Sequence, residues 1–353
     1  MVTNQDGVKP GRPSARVTLK RIAEAAGVHP ATVSRALDPE KSAMISDETR
    51  ALVLEKAAEL DYHPSIPART LRHGRSATIG VIVADLENPY TARMIRGIEN
   101  ALEGRGIMAL IAETQDDVDR MGRVISNLLS RSVDAIITTA ARKGTERLLR
   151  KAYAQVPVVL ADRSLVGGGL FTVAPDDLLG GQLAGKHLTD LGHRTVAEVA
   201  GPSDVSSFER RSSGFRQAAE AAGARVIEAG DTAIEPTVPE GRRIARLIFD
   251  GQETVTGVFA HNDLMALGVL DVLHERSLRC PEDVSVVGYD DLPLTAYTTP
   301  PLTTVRLPGY QLGRMAAEIA VSLSEAEGDP TDLTIAPTLV ERDSTGPPVS
   351  DSI

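Results

Sequence analysis

The sequence predicts a small all-α helix-turn-helix domain followed by a larger α/β core built on parallel sheets. Three observations predict it. Residues 18–37 place apolar side chains at helical spacing on both sides of a single glycine, Gly27. From residue 77 onward, short apolar runs alternate with amphipathic helical patterns. The charge also changes sign along the chain: residues 1–76 hold 12 Lys and Arg against 9 Asp and Glu, and the remainder holds 26 against 39.

Leu19, Ile22, Ala23 and Ala26 share one helical face, and the small Ala23 lets a second helix cross close by. Gly27 can take positive φ and end the first helix, with Val28 then packing inward. Pro30 suits the first position of the next helix, where an N–H would lack a partner anyway. Val33 and Leu37 return to the core. The outward face of this second helix is His29, Pro30, Ala31, Thr32, Ser34 and Arg35. Such a face fits a major groove about 12 Å wide. An ordinary helical hairpin is the blander alternative. A basic first segment in an otherwise acidic chain gives the sign a DNA reader needs. An excess of three positive charges is modest, so affinity should need two copies.

A length of 353 residues suggests two or three domains, and 42% apolar residues support real cores. No run of about 18 apolar residues suggests a membrane span, and the polar start lacks a secretory apolar region. One cysteine, Cys280, excludes a disulfide framework and a cysteine-rich zinc site. The seven histidines are scattered, so no metal site is expected, and no cofactor either. The expected location is cytoplasmic.

Residues 1–16 read as a flexible basic arm and 17–64 as the helix-turn-helix domain, whose third helix begins at the N-cap Ser46 and ends at Asp61-Tyr-His-Pro. Residues 65–76 carry Arg69, Arg72 and Arg75 and read as a short linker, too short to be a stable helix alone. Residues 77–343 form the α/β core, with apolar runs at 77–83, 133–138, 156–161, 195–200, 255–260 and 284–288 and a helix at 91–105. Residues 344–353 are expected to be a disordered tail. Nearly every apolar run ends in a polar group: Asp85, Thr139, Asp162, Ser203, Asn262-Asp263 or Asp290-Asp291. Ligands of open α/β sheets bind outside the carboxyl ends of the strands.

Other motifs are weaker. Gly180-Gly-Gln-Leu-Ala-Gly-Lys-His nearly matches a phosphate loop but has His187 where a Ser or Thr must reach Mg²⁺, and it lies inside a helical pattern. No Gly-x-Ser-x-Gly elbow occurs, and the Gly167–Gly169 run lacks a dinucleotide fingerprint. Asp176-Asp177 could be a catalytic pair, but a helix N-terminus is the simpler reading; Asp290-Asp291 is better read as a ligand hydrogen-bonder.

From Val17 to about Pro347 the chain resembles the lactose-repressor (LacI/GalR) family of ligand-responsive transcription regulators. The resemblance rests on Val17-Thr-Leu-Lys, Ala26-Gly-Val-His-Pro-Ala-Thr-Val-Ser-Arg, Ile45-Ser-Asp-Glu-Thr-Arg, Ala68-Arg-Thr-Leu-Arg, Ile79-Gly-Val-Ile-Val and Asn88-Pro-Tyr. It continues through Val156-Pro-Val-Val-Leu-Ala-Asp-Arg, Asn262-Asp-Leu-Met-Ala-Leu-Gly, Pro281-Glu-Asp-Val-Ser-Val-Val-Gly-Tyr-Asp-Asp and Pro301-Leu-Thr-Thr-Val. It implies a homodimer on a roughly palindromic operator, and a core like a periplasmic binding protein, two lobes around an effector cleft. By that resemblance Pro30, Ala31 and Arg35 face base edges, and Thr18, His29, Thr32 and Ser34 touch phosphates. Arg69 and Leu71 would lie in a hinge helix, with Leu71 the minor-groove wedge. The implied effector-binding positions are Tyr90, Thr139, Asp162, Glu209, Asn262 and Asp290, with Arg163 less closely matched.

Three departures stand out. Thr91 follows Tyr90 where the family has a second aromatic. Glu209 aligns with the pocket arginine of the family's Ser-Ala-Arg-x-Arg-x-x-Gly stretch, here Ser207-Phe-Glu-Arg-Arg-Ser-Ser-Gly; Arg210 is a neighbour pointing elsewhere, or a one-residue shift restores the arginine. His29 replaces the usual serine N-cap, which should weaken that cap. The reading is a dimeric, ligand-controlled transcription regulator, most simply a repressor, with no catalytic residues. The alternatives are a small-molecule binder without specific DNA binding and an enzyme on the same core.

Overall fold

The computed structural model describes residues 17–38, 41–62, 75–165, 169–326 and 332–349. The chain divides into two compact units, residues 1–74 and 75–353.

In the first unit, helices α1 (Leu19–Ala26), α2 (Pro30–Ala36) and α3 (Asp47–Glu59) surround Ile22, Ala23, Ala26, Val33, Ala36, Val53 and Ala57. Gly27 takes φ 65°, and the Val28 N–H closes back on the Ala23 carbonyl at 3.0 Å. Ser46 Oγ caps α3 by accepting from Thr49 N at 3.3 Å. The weak cap expected at His29 is corrected here: its Nδ1 accepts the Ala31 N–H at 3.2 Å, as a serine oxygen would.

The second unit contains two six-stranded sheets. The first lobe runs β1 (Thr78–Val83), α4 (Pro89–Glu103), β2 (Met108–Glu113), α5 (Val118–Ser130), β3 (Ala135–Thr138), α6 (Glu146–Tyr153), β4 (Val158–Ala161) and β5 (Phe171–Pro175). The second runs α7 (Asp177–Asp190), β6 (Thr195–Val199), α8 (Ser206–Ala221), β7 (Arg225–Ile227), α9 (Val238–Asp250), β8 (Gly257–Ala260), α10 (Asp263–Glu275), β9 (Ser285–Asp290) and β10 (Thr303–Arg306). Then α11 (Gly309–Ser324) and β11 (Leu333–Ile335) return to the first lobe, and β12 (Thr338–Val340) to the second. The strand orders are β11-β5-β4-β3-β1-β2 and β12-β10-β9-β8-β6-β7. All pairings are parallel except β10 with β12. The chain therefore crosses between lobes three times, after β5, β10 and β11. Buried strands such as β1, β3, β4, β8 and β9 are the apolar runs of the sequence. Strands β2, β5 and β7 are only partly covered and give no such run.

One boundary is corrected. Residues 344–349 are not a loose tail: Ser344 is buried and bonded to Thr303 N and the Val286 carbonyl, and the Gly346 carbonyl meets His193.

Helices α7 and α8 approach through glycine. A Cβ on Gly181 would stand 2.1 Å from the Arg211 carbonyl oxygen, whereas one on Gly122 of α5 meets nothing closer than 3.7 Å. The near phosphate loop at residues 180–187 is thus a packing face. Gly181→Ala is expected to cost about 1–3 kcal/mol, lowering the Tm by about 2–10 °C, while Gly122→Ala holds or raises it. Calorimetry showing equal Tm values for the two variants would refute the close-packing argument.

Candidate functional site

The second helix of the first unit presents the face the sequence predicted. His29, Pro30, Ala31 and Arg35 are exposed, and Thr32 and Ser34 are half-buried. Among the described residues Arg35 has no ion pair, so its guanidinium is available. Thr18 precedes α1 and is exposed, and its side chain does not cap the helix. Arg69 and Leu71 lie outside the described residues.

In the second unit, the carboxyl ends of strands from both lobes supply polar side chains. Asp162 follows β4, and its Oδ1 accepts from the Tyr90 hydroxyl at 3.0 Å. Tyr90 is held at the start of α4 by the Asn88 cap and packs on Gly309. Asp162 and Asp290 take φ 71° and 111°. Positive φ is uncommon outside glycine, though aspartate tolerates it better than most, and such backbone concentrates at functional sites.

The centre of the cluster is a residue the sequence reading missed. Arg211 of α8 is 3% exposed. Its Nε donates to Asp177 Oδ1 at 2.8 Å and its Nη1 to the His261 carbonyl at 2.7 Å. Its guanidinium lies 3.8 Å from the centre of the Tyr289 ring, whose hydroxyl also donates to Asp177 at 3.1 Å. The signal was available: Arg211 stands three residues before Gly214, where the second arginine of the Arg-x-Arg-x-x-Gly pattern falls. Glu209, aligned with the first arginine, is instead exposed and pairs with Lys143. Arg210 points toward Asp176 at 3.4 Å.

Charges converge on Arg211. Burial pushes the Asp177 carboxyl up to about 6 even with the guanidinium beside it. Asp290 is raised well above the ordinary carboxylate range by burial and by the neighbouring carboxylates of Asp263, Asp162 and Asp177. Asp162 is raised too, by burial. Asp290 is 3% exposed, and no hydrogen bond is made to its carboxylate by the described residues. The Thr139 hydroxyl likewise has no partner there. Among the described residues Asp134 Oδ2 is the one fully buried side-chain atom without a partner, so these two groups keep some access to solvent.

Other candidates are already engaged. Asn262 Oδ1 caps α10 through Met265 N at 2.8 Å, and its Nδ2 donates to the Pro236 carbonyl at 2.9 Å. Arg163 is tied to Asp116 at 2.5 Å. Asp291 is held by Arg306 and Arg342, and Asp176 is the α7 N-cap. Among the described residues no group of three His, Cys, Asp or Glu is arranged to hold a metal ion, and no helix is long and apolar enough to cross a membrane.

A helix-turn-helix unit with its second helix exposed, joined in one chain to a two-lobed binding core, defines a ligand-responsive DNA-binding transcription regulator. Comparisons with known proteins agree. Residues 18–65 match the bacterial regulatory proteins of the lacI family, and residues 186–345 match the periplasmic binding protein-like domain. The ribose operon repressor of Escherichia coli K12 is 31% identical over 330 residues, covering 93% of this chain and 99% of its own. The HTH-type transcriptional repressor PurR of Edwardsiella ictaluri is 31% identical, covering 93% and 96%. The structure of the Lac repressor dimer bound to operator and the anti-inducer ONPF superposes with a TM-score of 0.85 at 26% identity, covering 94% of this chain and 100% of that one. A LacI-family regulator from Enterococcus faecium with bound ribose gives 0.67 at 28% identity, covering 76% and 99%. The chain belongs to the lacI family of bacterial regulatory proteins.

Proposed function

We propose that this regulator binds a palindromic operator as a homodimer in the cytoplasm and represses transcription, with a polyhydroxylated or amino-bearing metabolite in the cleft changing operator affinity. Pro30, Ala31 and Arg35 face bases; Thr18, His29, Thr32 and Ser34 face phosphates. Arg69 and Leu71 act in the linker. Tyr90, Thr139, Asp162, Asp290 and Arg211 contact the effector; Asn262 shapes the site through its cap, and Glu209 stands outside it. The carboxylates serve recognition, and no turnover is expected.

The observation that carries the effector reading is the Asp290 carboxylate, 3% exposed and without a hydrogen bond from the described residues, set among the charges of Arg211, Asp162 and Asp177. A carboxylate accepts from hydroxyl or ammonium groups. The relatives' names make D-ribose the first compound to try, followed by other pentoses, hexoses, nucleosides and amino compounds. Isothermal titration is expected to find saturable binding for at least one of them. Donation to Asp290 stabilises its ionised form, so affinity should rise from pH 5 to pH 8. Asp290→Asn is expected to weaken binding by about tenfold, roughly one charge-assisted hydrogen bond, without lowering the Tm. Binding by the variant as tight as wild type would remove Asp290 from the site.

A further inference from the structure

We propose that an electrostatic clasp across the mouth of the cleft, Arg142–Asp204 with Lys143–Glu209, holds the two lobes together and sets how readily they part for an effector. The loop after β3 in the first lobe supplies Arg142 and Lys143. The loop after β6 and the first turn of α8 in the second lobe supply Asp204 and Glu209. Arg142 grips both oxygens of Asp204, from Nε and Nη2, each at 2.8 Å. Its remaining Nη1 donates to the Asp116 carbonyl at 2.7 Å, so the guanidinium is aimed across the gap from within its own lobe. Thr145 braces the same turn by accepting from the Arg142 N–H at 3.2 Å and donating to its carbonyl at 2.7 Å.

Beside this pair the Lys143 N–H donates to the Asp204 carbonyl at 2.9 Å, and Lys143 Nζ reaches both the Ser203 carbonyl at 3.0 Å and the Glu209 carboxylate. Ser206 Oγ adds a bond to the Ser164 carbonyl at 2.7 Å. Glu209, unexplained as a pocket residue, thus has a role as the acid that receives the other lobe's lysine. The Lys143 and Glu209 side chains are 60% and 45% exposed, whereas Arg142 is 15% exposed. Asp204 is itself 39% exposed, so the inner pair is only partly shielded and should be less salt-sensitive than the outer pair rather than insensitive. On this reading the lobes must part for an effector to enter, and these are positioning residues for that step. The inference rests on the cleft being the effector site, but its test needs neither effector nor DNA.

Hydrogen exchange on the full-length protein reads the clasp directly, through peptides containing residues 140–145 and 201–209. Lys143→Glu and Glu209→Lys are each expected to speed exchange there by about threefold or more, because reversal converts attraction to repulsion. The double variant K143E/E209K restores wild-type protection, and 1 M NaCl speeds the wild type toward the single variants. Asp204→Ala releases the inner pair and speeds exchange at any salt. Peptides covering β3 and β8 report that both lobes remain folded. Unchanged exchange in the single variants, or a double variant as open as either single one, would overturn the proposal.

Discussion

Arg35→Ala is expected to abolish most operator specificity while leaving general DNA binding almost intact. On the exposed face of α2, Pro30 offers no N–H and Ala31 no polar side chain, and Arg35 is exposed and without an ion pair among the described residues. A bidentate contact from an arginine to a guanine discriminates by about 1–3 kcal/mol. Two copies on a palindrome double that, so the loss should reach about 30-fold at least. Phosphate contacts supply the non-specific affinity and its salt dependence. The slope of log K against log salt should therefore change little. The measurement is fluorescence anisotropy on a duplex selected from a random pool by the wild-type protein, against an unrelated duplex, at several salt concentrations. An equal loss on both duplexes would make Arg35 a phosphate contact; no loss on either would take it out of the interface.

Arg211→Met is expected to be the most damaging single change in the core. The guanidinium is buried against Asp177, and Asp162 and Asp290 both feel its charge. Removing one partner of a buried pair costs about 3–5 kcal/mol. The pH dependence gives this a sign. Asp177 titrates at about 6 in the folded protein with Arg211 in place, against about 3.9 for a free aspartate. A carboxylate raised in the folded state favours folding at low pH, and that contribution is lost as pH rises through the folded value. Without Arg211 the carboxylates move higher still. The deficit in Tm of the variant relative to wild type should thus be large at pH 8 and smaller at pH 5. Adding Asp177→Asn to Arg211→Met should recover part of it at pH 8. A deficit as large at pH 5 as at pH 8 would show that lost packing on Tyr289, not unpaired charge, is the cause.

Much of the fold could be read along the chain. The Gly27 turn, the Pro30 start and the Ser46 cap depend on neighbours within a few residues, and they formed as the local chemistry requires. The strands buried on both faces announced themselves as apolar runs. Edge strands such as β2 and β7 did not, because their side chains mix exposed and buried positions and carry no periodic signal. The phosphate-loop decoy was rejected correctly by its helical context, though only the structure showed that Gly181 and Gly185 make room for the backbone of α8 and Gly180 for the Tyr289 ring.

Site residues divide the same way. Asp162 and Asp290 could be located at the strand ends they follow or close, but Asn262 could not be told from an N-cap until its partners, Met265 and Pro236, were seen. Arg211 and Asp177 were missed because their meaning is relational: α7 and α8 must touch before an arginine on one neutralises an aspartate on the other. Glu209 illustrates the converse. Its position in α8 suggested the pocket, and its partner Lys143 lies 66 residues earlier on the opposite lobe. The sequence alone determined the DNA-reading helix, the parallel α/β core and the family, since these follow from local spacing and motif order. The tertiary structure decided which charges are buried and which are paired. Burial and pairing depend on what other segments bring within a few ångströms, and no local pattern encodes that distance.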